Sequence, residues 1–135
     1  MISITTEDFD INAMITRSKS SEMGAVVTFL GTVRDDGIDM LHFEAYEGVA
    51  IREMESIQDE AFEKFDIQSV DVIHRIGELP VGENIVLIIV GAGHRKEAFR
   101  ACEYILERIK ESVPIWKKEI GDSGERWIPG EAYRS

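Results

Sequence analysis

The sequence predicts a single α+β domain in which helices pack on one face of a mainly antiparallel sheet. Two long amphipathic segments are typical of helices, and several apolar, strand-like runs are separated only by short turn signals. The chain has 135 residues, of which 44% are hydrophobic and 30% charged, a size and balance typical of one globular domain. No repeat or linker divides it, so we expect one domain over residues 1–135.

Strand and helix patterns alternate along the chain. In order, we expect a strand at 2–5, a helix at 8–18, strands at 24–34 and 38–46, a helix at 49–65, strands at 69–76 and 84–90, a helix at 95–112 and a short strand at 115–120. Both long helices carry apolar residues at helical spacing. Asp35-Asp36-Gly37 predicts a turn that joins the strands on either side of it as a β-hairpin.

Short polar or glycine-containing segments mark the ends of these elements. Thr6 or Asp8 is a suitable N-cap for the first helix. The residues at 77–82 contain glycine and proline and predict a connection between two strands. Val113-Pro114 ends the last helix, because proline cannot continue it. A turn at 121–124 follows the last strand.

The charge of the chain is unevenly distributed. The net charge is −11, which argues against a protein that binds nucleic acid. The segment 94–118 nevertheless contains seven basic and four acidic residues, a net charge of +3, so the remaining residues carry −14. A basic segment in an acidic protein indicates an anion site. We interpret Lys96, Arg100 and Arg108 as members of ion pairs on a solvated helix face.

The single cysteine favours a reducing compartment, and we expect a cytoplasmic protein. Cys102 falls in a predicted helix, and we interpret it as a small buried hydrophobe rather than a nucleophile. The N-terminus lacks the pattern of a secretory signal. No apolar run reaches the roughly 18 residues of a membrane span, so we expect no membrane partner.

Gly91-Ala92-Gly93 joins a buried strand to the start of a helix, and His94 and Arg95 follow directly. A helix start presents free N–H groups and a positive dipole end, which suit an anion. The glycines alone are a weak signal, but combined with these two residues they make His94 and Arg95 candidate anion ligands. The alternative that His94 is a polar cap residue stays open.

Three lysines near the end of the basic segment are candidates for the chemistry. Lys110 falls late in a helix, where a cation complements the helix C-terminus. Lys117 and Lys118 follow in a strand, in which neighbours point to opposite faces. Since Trp116 and Lys118 share a face, we predict that Lys117 faces the cleft of Lys110 and that Lys118 faces solvent. One lysine of such a pair can act as base or nucleophile while the other holds an anion.

Arg34 ends a predicted strand, where its guanidinium lies at the sheet rim and matches phosphate or carboxylate geometry. We interpret His74 and Arg75, which lie inside a strand-like run, as structural or as part of a subunit interface. His42, His74 and His94 share no ligand spacing, and no paired cysteine–histidine pattern or phosphate-binding loop occurs. We therefore expect no metal and no cofactor.

Five segments together carry a resemblance to a known family. Their sequences are GAVVTFLGTVR at 24–34, EAY at 44–46, VIHRIGEL at 72–79, AGHRKEAF at 92–99 and KESVPIWKKE at 110–119. HRIGEL and the proline-to-lysine run PIWK are the specific ones. In this order the segments resemble the molybdopterin synthase large-subunit family, and the resemblance extends from Gly24 to Trp127.

The resemblance implies an α/β-hammerhead-type fold and a homodimer that binds a small ubiquitin-like sulfur carrier at each end, giving a heterotetramer. It implies a sulfurtransferase of molybdenum cofactor biosynthesis. The carrier's C-terminal Gly-Gly thiocarboxylate would supply two sulfurs that convert cyclic pyranopterin monophosphate to molybdopterin. The turn after Arg34 is shorter than in many relatives, which bears on where the carrier docks.

Matching positions imply the site residues. Lys110 and Lys117 correspond to the family's essential lysines, and Phe29 to a position near the carrier tail. The implied substrate-binding residues are Thr32, Val33, Arg34, His94, Arg95, Lys110, Lys117, Lys118 and Glu119. A second hypothesis from another class is a non-catalytic dimeric module that binds a phosphorylated metabolite through the same basic residues, without sulfur transfer.

Overall fold

The computed structural model describes residues 1–129 and confirms the α+β class. Within those residues it contains three helices and eight strands. In chain order they are β1 (Ile2–Thr5), α1 (Ile11–Ser18), β2 (Ala25–Thr32), β3 (Met40–Ala45), α2 (Glu47–Lys64), β4 (Ser69–Arg75), β5 (Gly77–Pro80), β6 (Asn84–Ala92), α3 (Arg95–Ser112), β7 (Ile115–Gly121) and β8 (Gly124–Ile128). None of these helices is long and apolar enough to cross a membrane.

The strands form two four-stranded sheets. Sheet A has the order β1-β4-β6-β2, in which β1 and β4 are parallel and the other pairs antiparallel. Sheet B has the order β5-β3-β7-β8 and is antiparallel throughout. The predicted mainly antiparallel arrangement is therefore confirmed, but it is divided between two sheets.

Helices cover both faces of sheet A. The long helices α2 and α3 pack together over one face, against β6 residues such as Ile88 and Val90. Helix α1 packs on the other face, where Met14 meets Leu87 and Ile89. Strand β6 is buried from Val86 to Ala92 because its alternating side chains face two different cores. Since both faces are apolar, helices on one face alone would not cover this sheet.

Sheet B has its own small core, formed by Val33, Leu41, Phe43 and Leu79. Ile85 and Ile115 pack against this core and also against the core under α2 and α3. The two sheets therefore meet in a continuous apolar contact, at the end of sheet A where β6 begins.

The predicted hairpin between the strands around Asp35-Asp36-Gly37 is wrong. Strand β2 pairs with β6 from Ala25 to Thr32, whereas β3 pairs with β5 and β7 in the other sheet. The segment after the turn is already committed to sheet B, since the Asp39 N–H donates to the Ile120 carbonyl. Eight residues of β2 pair with the buried strand β6. A turn signal predicts only local pairing, so it could not indicate this distant partner.

Three smaller predictions also differ from the structure. The connection predicted at 77–82 contains strand β5, which lies at the edge of sheet B, where Pro80 is tolerated. Strand β8 follows the turn at 121–124 and was not predicted, because its residues GERWI lack the apolar alternation of a half-buried strand. Asp10, rather than Thr6 or Asp8, caps α1, since its Oδ1 accepts the Ala13 N–H at 3.0 Å.

Candidate active site

A pocket of about 320 Å³ lies where β2, β4 and β6 of sheet A meet β3 and β7 of sheet B and the end of α3. Its walls are mainly apolar and include Phe29 and Phe43. The polar side chains among the described lining residues are His74, Lys110 and Lys117. A site of this kind can hold an anionic ligand in surroundings of low polarity, where charge interactions are strong.

Lys110 and Lys117 reach this pocket from different elements. Lys110 is in the last turn of α3. Lys117 pairs directly with the buried Phe43 across β3 and β7, and direct cross-strand partners share a face. Both lysines line the pocket, as strand alternation predicted. Their roles in a reaction stay predictions.

Lys118 lies on the opposite face of β7. Its Nζ is 3.1 Å from Glu125 Oε2 and 5.1 Å from the centre of the Trp127 ring. Lys118 is not among the residues that line the pocket, but the prediction that it faces solvent is wrong, because its side chain is only 20% exposed and is held by these neighbours. The resemblance-based role of Lys118 in substrate binding receives no support from this position.

His74 is the pocket residue whose role sequence reasoning missed. It is 7% exposed, and its Nδ1 lies 2.7 Å from the Arg75 carbonyl oxygen. Since a carbonyl oxygen only accepts, Nδ1 carries the proton. The pKa of His74 is lowered from 6.5 to about 4, mainly by burial and to a smaller extent by the charge of Lys117, while the hydrogen bond to the Arg75 carbonyl opposes the shift. His74 is therefore neutral at pH 7, and its Nε2 is a hydrogen-bond acceptor.

Arg75 points away from this pocket and is structural. Its guanidinium donates to the carbonyl oxygens of Asn84 at 3.0 Å and Thr6 at 3.4 Å, and pairs with Glu83 at 3.4 Å. The side chain is buried and ties β4 to the segment between β1 and α1. The interpretation of the pair as structural therefore holds for Arg75 but is incomplete for His74.

His94 and Arg95 lie at the other end of α3. His94 is the N-cap residue, but its side chain makes no capping hydrogen bond, and both side chains are exposed. At 1.5 Å per residue, the helix places Arg95 about 22 Å from Lys110. Within a single copy of the chain, a straight helix therefore keeps His94 and Arg95 apart from Lys110, and whether a second copy unites them stays a prediction.

The remaining candidates lie outside the pocket lining. The Arg34 side chain is 83% exposed, and its Nε is 2.9 Å from the Asp36 carboxylate. Thr32 is exposed at the end of β2.

Val33 is only 2% exposed because it packs in the core of sheet B, so its side chain cannot contact a substrate. Glu119 shares the Lys117 face of β7 and pairs with Arg126 at 3.0 Å.

Residues 1–129 contain neither a cluster of metal ligands nor a reactive cysteine. No group of three or more histidine, cysteine or acidic side chains there is arranged to hold a metal ion. Cys102 is buried, and burial raises the pKa of its thiol to about 11. It is therefore a poor nucleophile at neutral pH, in agreement with its interpretation as a core residue.

The fold and the pocket define a small α+β domain with a mainly apolar cleft that two lysines line. Residues 4–112 match the family model described as MoaE protein. A relative from Pyrococcus abyssi named molybdopterin synthase catalytic subunit is 47% identical, over 94% of this chain and 88% of that protein. The chain therefore belongs to the MoaE family, that of the molybdopterin synthase catalytic subunits.

Solved structures agree with this assignment. The crystal structure of molybdopterin synthase from Staphylococcus aureus superposes with a TM-score of 0.88 at 41% identity, covering 93% of this chain and 95% of that one. A Helicobacter pylori structure, titled as a complex of subunits 1 and 2 of molybdopterin-converting factor, has a TM-score of 0.80 at 24% identity. It covers 93% of this chain and 88% of that one, and supports the fold alone.

Proposed function

We propose that the chain is a sulfurtransferase that converts cyclic pyranopterin monophosphate to molybdopterin, with sulfur from the thiocarboxylate of a small carrier protein. The observation that carries this proposal is that Lys110 and Lys117 line the same mainly apolar pocket. Both the substrate phosphate and the carrier's thiocarboxylate are anions. Lys110 and Lys117 are exposed, and each places a positive charge beside the mainly apolar walls of the pocket, where it attracts an anion.

The proposed chemistry needs no metal or redox partner. In one transfer the carrier's sulfur attacks the side-chain carbon that bears the cyclic phosphate, and a carbon–sulfur bond forms as the bond from that carbon to the phosphate oxygen breaks and the phosphate ring opens. In the other transfer the sulfur adds to the neighbouring carbonyl carbon, whose oxygen leaves as water. Water then cleaves the bond between that sulfur and the carrier's acyl carbon, which releases the carrier as a carboxylate and leaves sulfur on the pterin. Repetition with a second carrier completes the dithiolene. One lysine holds the phosphate while the other stabilises the oxyanion of the hydrolytic step.

The proposed partners are a ubiquitin-like carrier with a Gly-Gly C-terminus and a second copy of this chain. The Pyrococcus abyssi relative is named a catalytic subunit, which implies a further subunit and supports a partner protein. The second copy is supported by geometry. If His94 and Arg95 act on the same substrate as Lys110, about 22 Å of helix requires them to come from another chain. We propose a homodimer at the centre of a heterotetramer, located in the cytoplasm.

Replacing each pocket lysine tests this function. We expect Lys110→Ala and Lys117→Ala each to reduce molybdopterin formation about 100-fold or more, because each removes a cation that acts on developing charge. The measurement is single-turnover conversion of cyclic pyranopterin monophosphate with thiocarboxylated carrier. Turnover near that of the wild type in both variants would rule out this site.

Two further variants serve as controls for charge. Lys19→Ala removes a lysine that follows α1, on the other face of sheet A, and should leave turnover unchanged. Lys118→Ala should lose much less activity than Lys117→Ala, since its side chain lies on the opposite face of the same strand. If the wild-type chain binds the precursor tightly but transfers no sulfur, the alternative of a non-catalytic binding module is correct.

A further inference from the structure

His74 is a buried polar group that the proposed chemistry does not yet use. It lines the same pocket as Lys110 and Lys117 and is 7% exposed. Its ring lies against Phe43, with the ring centres 5.4 Å apart and the planes at 67°. The imidazole is therefore fixed in the pocket wall between two sheets, where a ligand on the lysines would lie beside it.

The hydrogen bonding of His74 leaves one atom for a ligand. Nδ1 donates to the Arg75 carbonyl at 2.7 Å, which fixes the tautomer and turns that side of the ring to the backbone. Within the described residues Nε2 makes no hydrogen bond to the protein. Both lysines are donors only, so Nε2 is the acceptor among the polar side chains of this lining. A pocket with two donors and one fixed acceptor suits a ligand that has an anion close to an N–H group.

We infer that His74 is a positioning residue whose Nε2 accepts a hydrogen bond from an amide N–H of the ligand that Lys110 and Lys117 hold by its anionic group. Two ligands of the proposed reaction have this chemistry. The carrier tail has a backbone amide next to its terminal thiocarboxylate, and the pterin has a ring amide. The inference rests on the proposed function for the identity of these ligands, and the arms of the test distinguish them.

Two substitutions separate the two nitrogens of the ring. In His74→Asn, the side-chain amide can still donate to the Arg75 carbonyl, but the acceptor at Nε2 is lost. His74→Gln places an amide oxygen near the Nε2 position. We expect His74→Asn to raise the KM of one substrate about ten-fold with little change in kcat. The KM of His74→Gln should stay close to that of the wild type, because its amide oxygen replaces the acceptor. A raised KM for the carrier indicates the tail amide, and one for the precursor indicates the ring amide.

The same comparison defines the outcomes against the inference. Equal impairment of both variants would mean that His74 only supports the fold, and full activity of both would mean that Nε2 has no role. A loss confined to kcat would mean that His74 acts on the lysines and not on the ligand. Each of these results overturns the inference.

A spectrum of the wild-type chain keeps the test valid if the Asn variant does not fold. With ¹⁵N-labelled histidine, Nε2 of His74 should resonate as an unprotonated nitrogen and move upfield when the thiocarboxylated carrier or cyclic pyranopterin monophosphate is added. An unchanged resonance with both probes overturns the inference. Because the spectrum needs no turnover, a shift without sulfur transfer would contradict the proposed function alone.

Discussion

Adjacent residues in β4 have opposite environments, and this difference determines what each can do. His74 faces the pocket and Arg75 the other side of sheet A, where it binds the carbonyls of Thr6 and Asn84. The same alternation separates Lys117 from Lys118 in β7. The lysine pair was predictable because Trp116 indicates one face of that strand. The orientation of His74 was not assigned, although its even spacing from Val72, in the core under the long helices, is a usable signal.

The neutrality of buried His74 predicts a pH dependence of stability. Its pKa is about 4 in the folded chain and near 6.5 when unfolded, so between these values the unfolded state binds the additional proton. The stabilisation is therefore complete above about pH 6.5 and is lost as the pH falls toward 4. Relative to His74→Gln, the wild type should lose about 3 kcal/mol of unfolding free energy over this range.

Urea denaturation at a series of pH values measures this difference. Groups that titrate equally in both proteins cancel in the comparison, so only the contribution of His74 remains. Parallel stability curves for the wild type and His74→Gln between pH 7 and pH 4 would show that the imidazole is not buried in its neutral form.

Helix α3 is the element that organises the basic segment and also divides it. Its apolar face packs on sheet A through Ala98, Ala101 and Ile105, and this spacing made the helix predictable. The helix fixes Arg95 at one end and Lys110 at the other, about 22 Å apart. The basic residues that are close together in the sequence therefore form two separate groups in one copy of the chain, one at each end of α3. Local patterns predicted the helices well, but strand pairing depends on distant partners, so the hairpin prediction failed.

The separation along α3 predicts complementation between two inactive variants. If one site combines Lys110 of one copy with His94 of another, mixed dimers of Lys110→Ala and His94→Ala contain one intact site out of two. Random pairing should then restore about one quarter of wild-type activity. The measurement is turnover after the two variants are unfolded together and refolded.

Each variant refolded alone is the control for that mixture, and it should stay inactive. If both sets of residues acted within a single copy, every chain in the mixture would carry a defect. No recovery would then be observed, and the shared site would be contradicted.

At the scale of the whole molecule, the pocket exists because two sheets meet. Phe29 of sheet A and Phe43 of sheet B form parts of its walls, and α3 and β7 each contribute a lysine. The sequence predicted both lysines and the α+β class. The sequence did not predict that His74 lines the pocket or that Val33 is buried in the core of sheet B. Both positions depend on how the sheets pack, and that packing has no local signal.

Lysine labelling of the wild-type chain tests whether this pocket is the binding site. Trace acetylation, followed by mass spectrometry, compares the reactivity of each lysine with and without cyclic pyranopterin monophosphate. We expect the precursor to protect Lys110 and Lys117 together, while Lys19 and Lys64, which do not line the pocket, keep their rates. Unchanged reactivity of Lys110 and Lys117 at saturating precursor would contradict the assignment of the pocket as the active site.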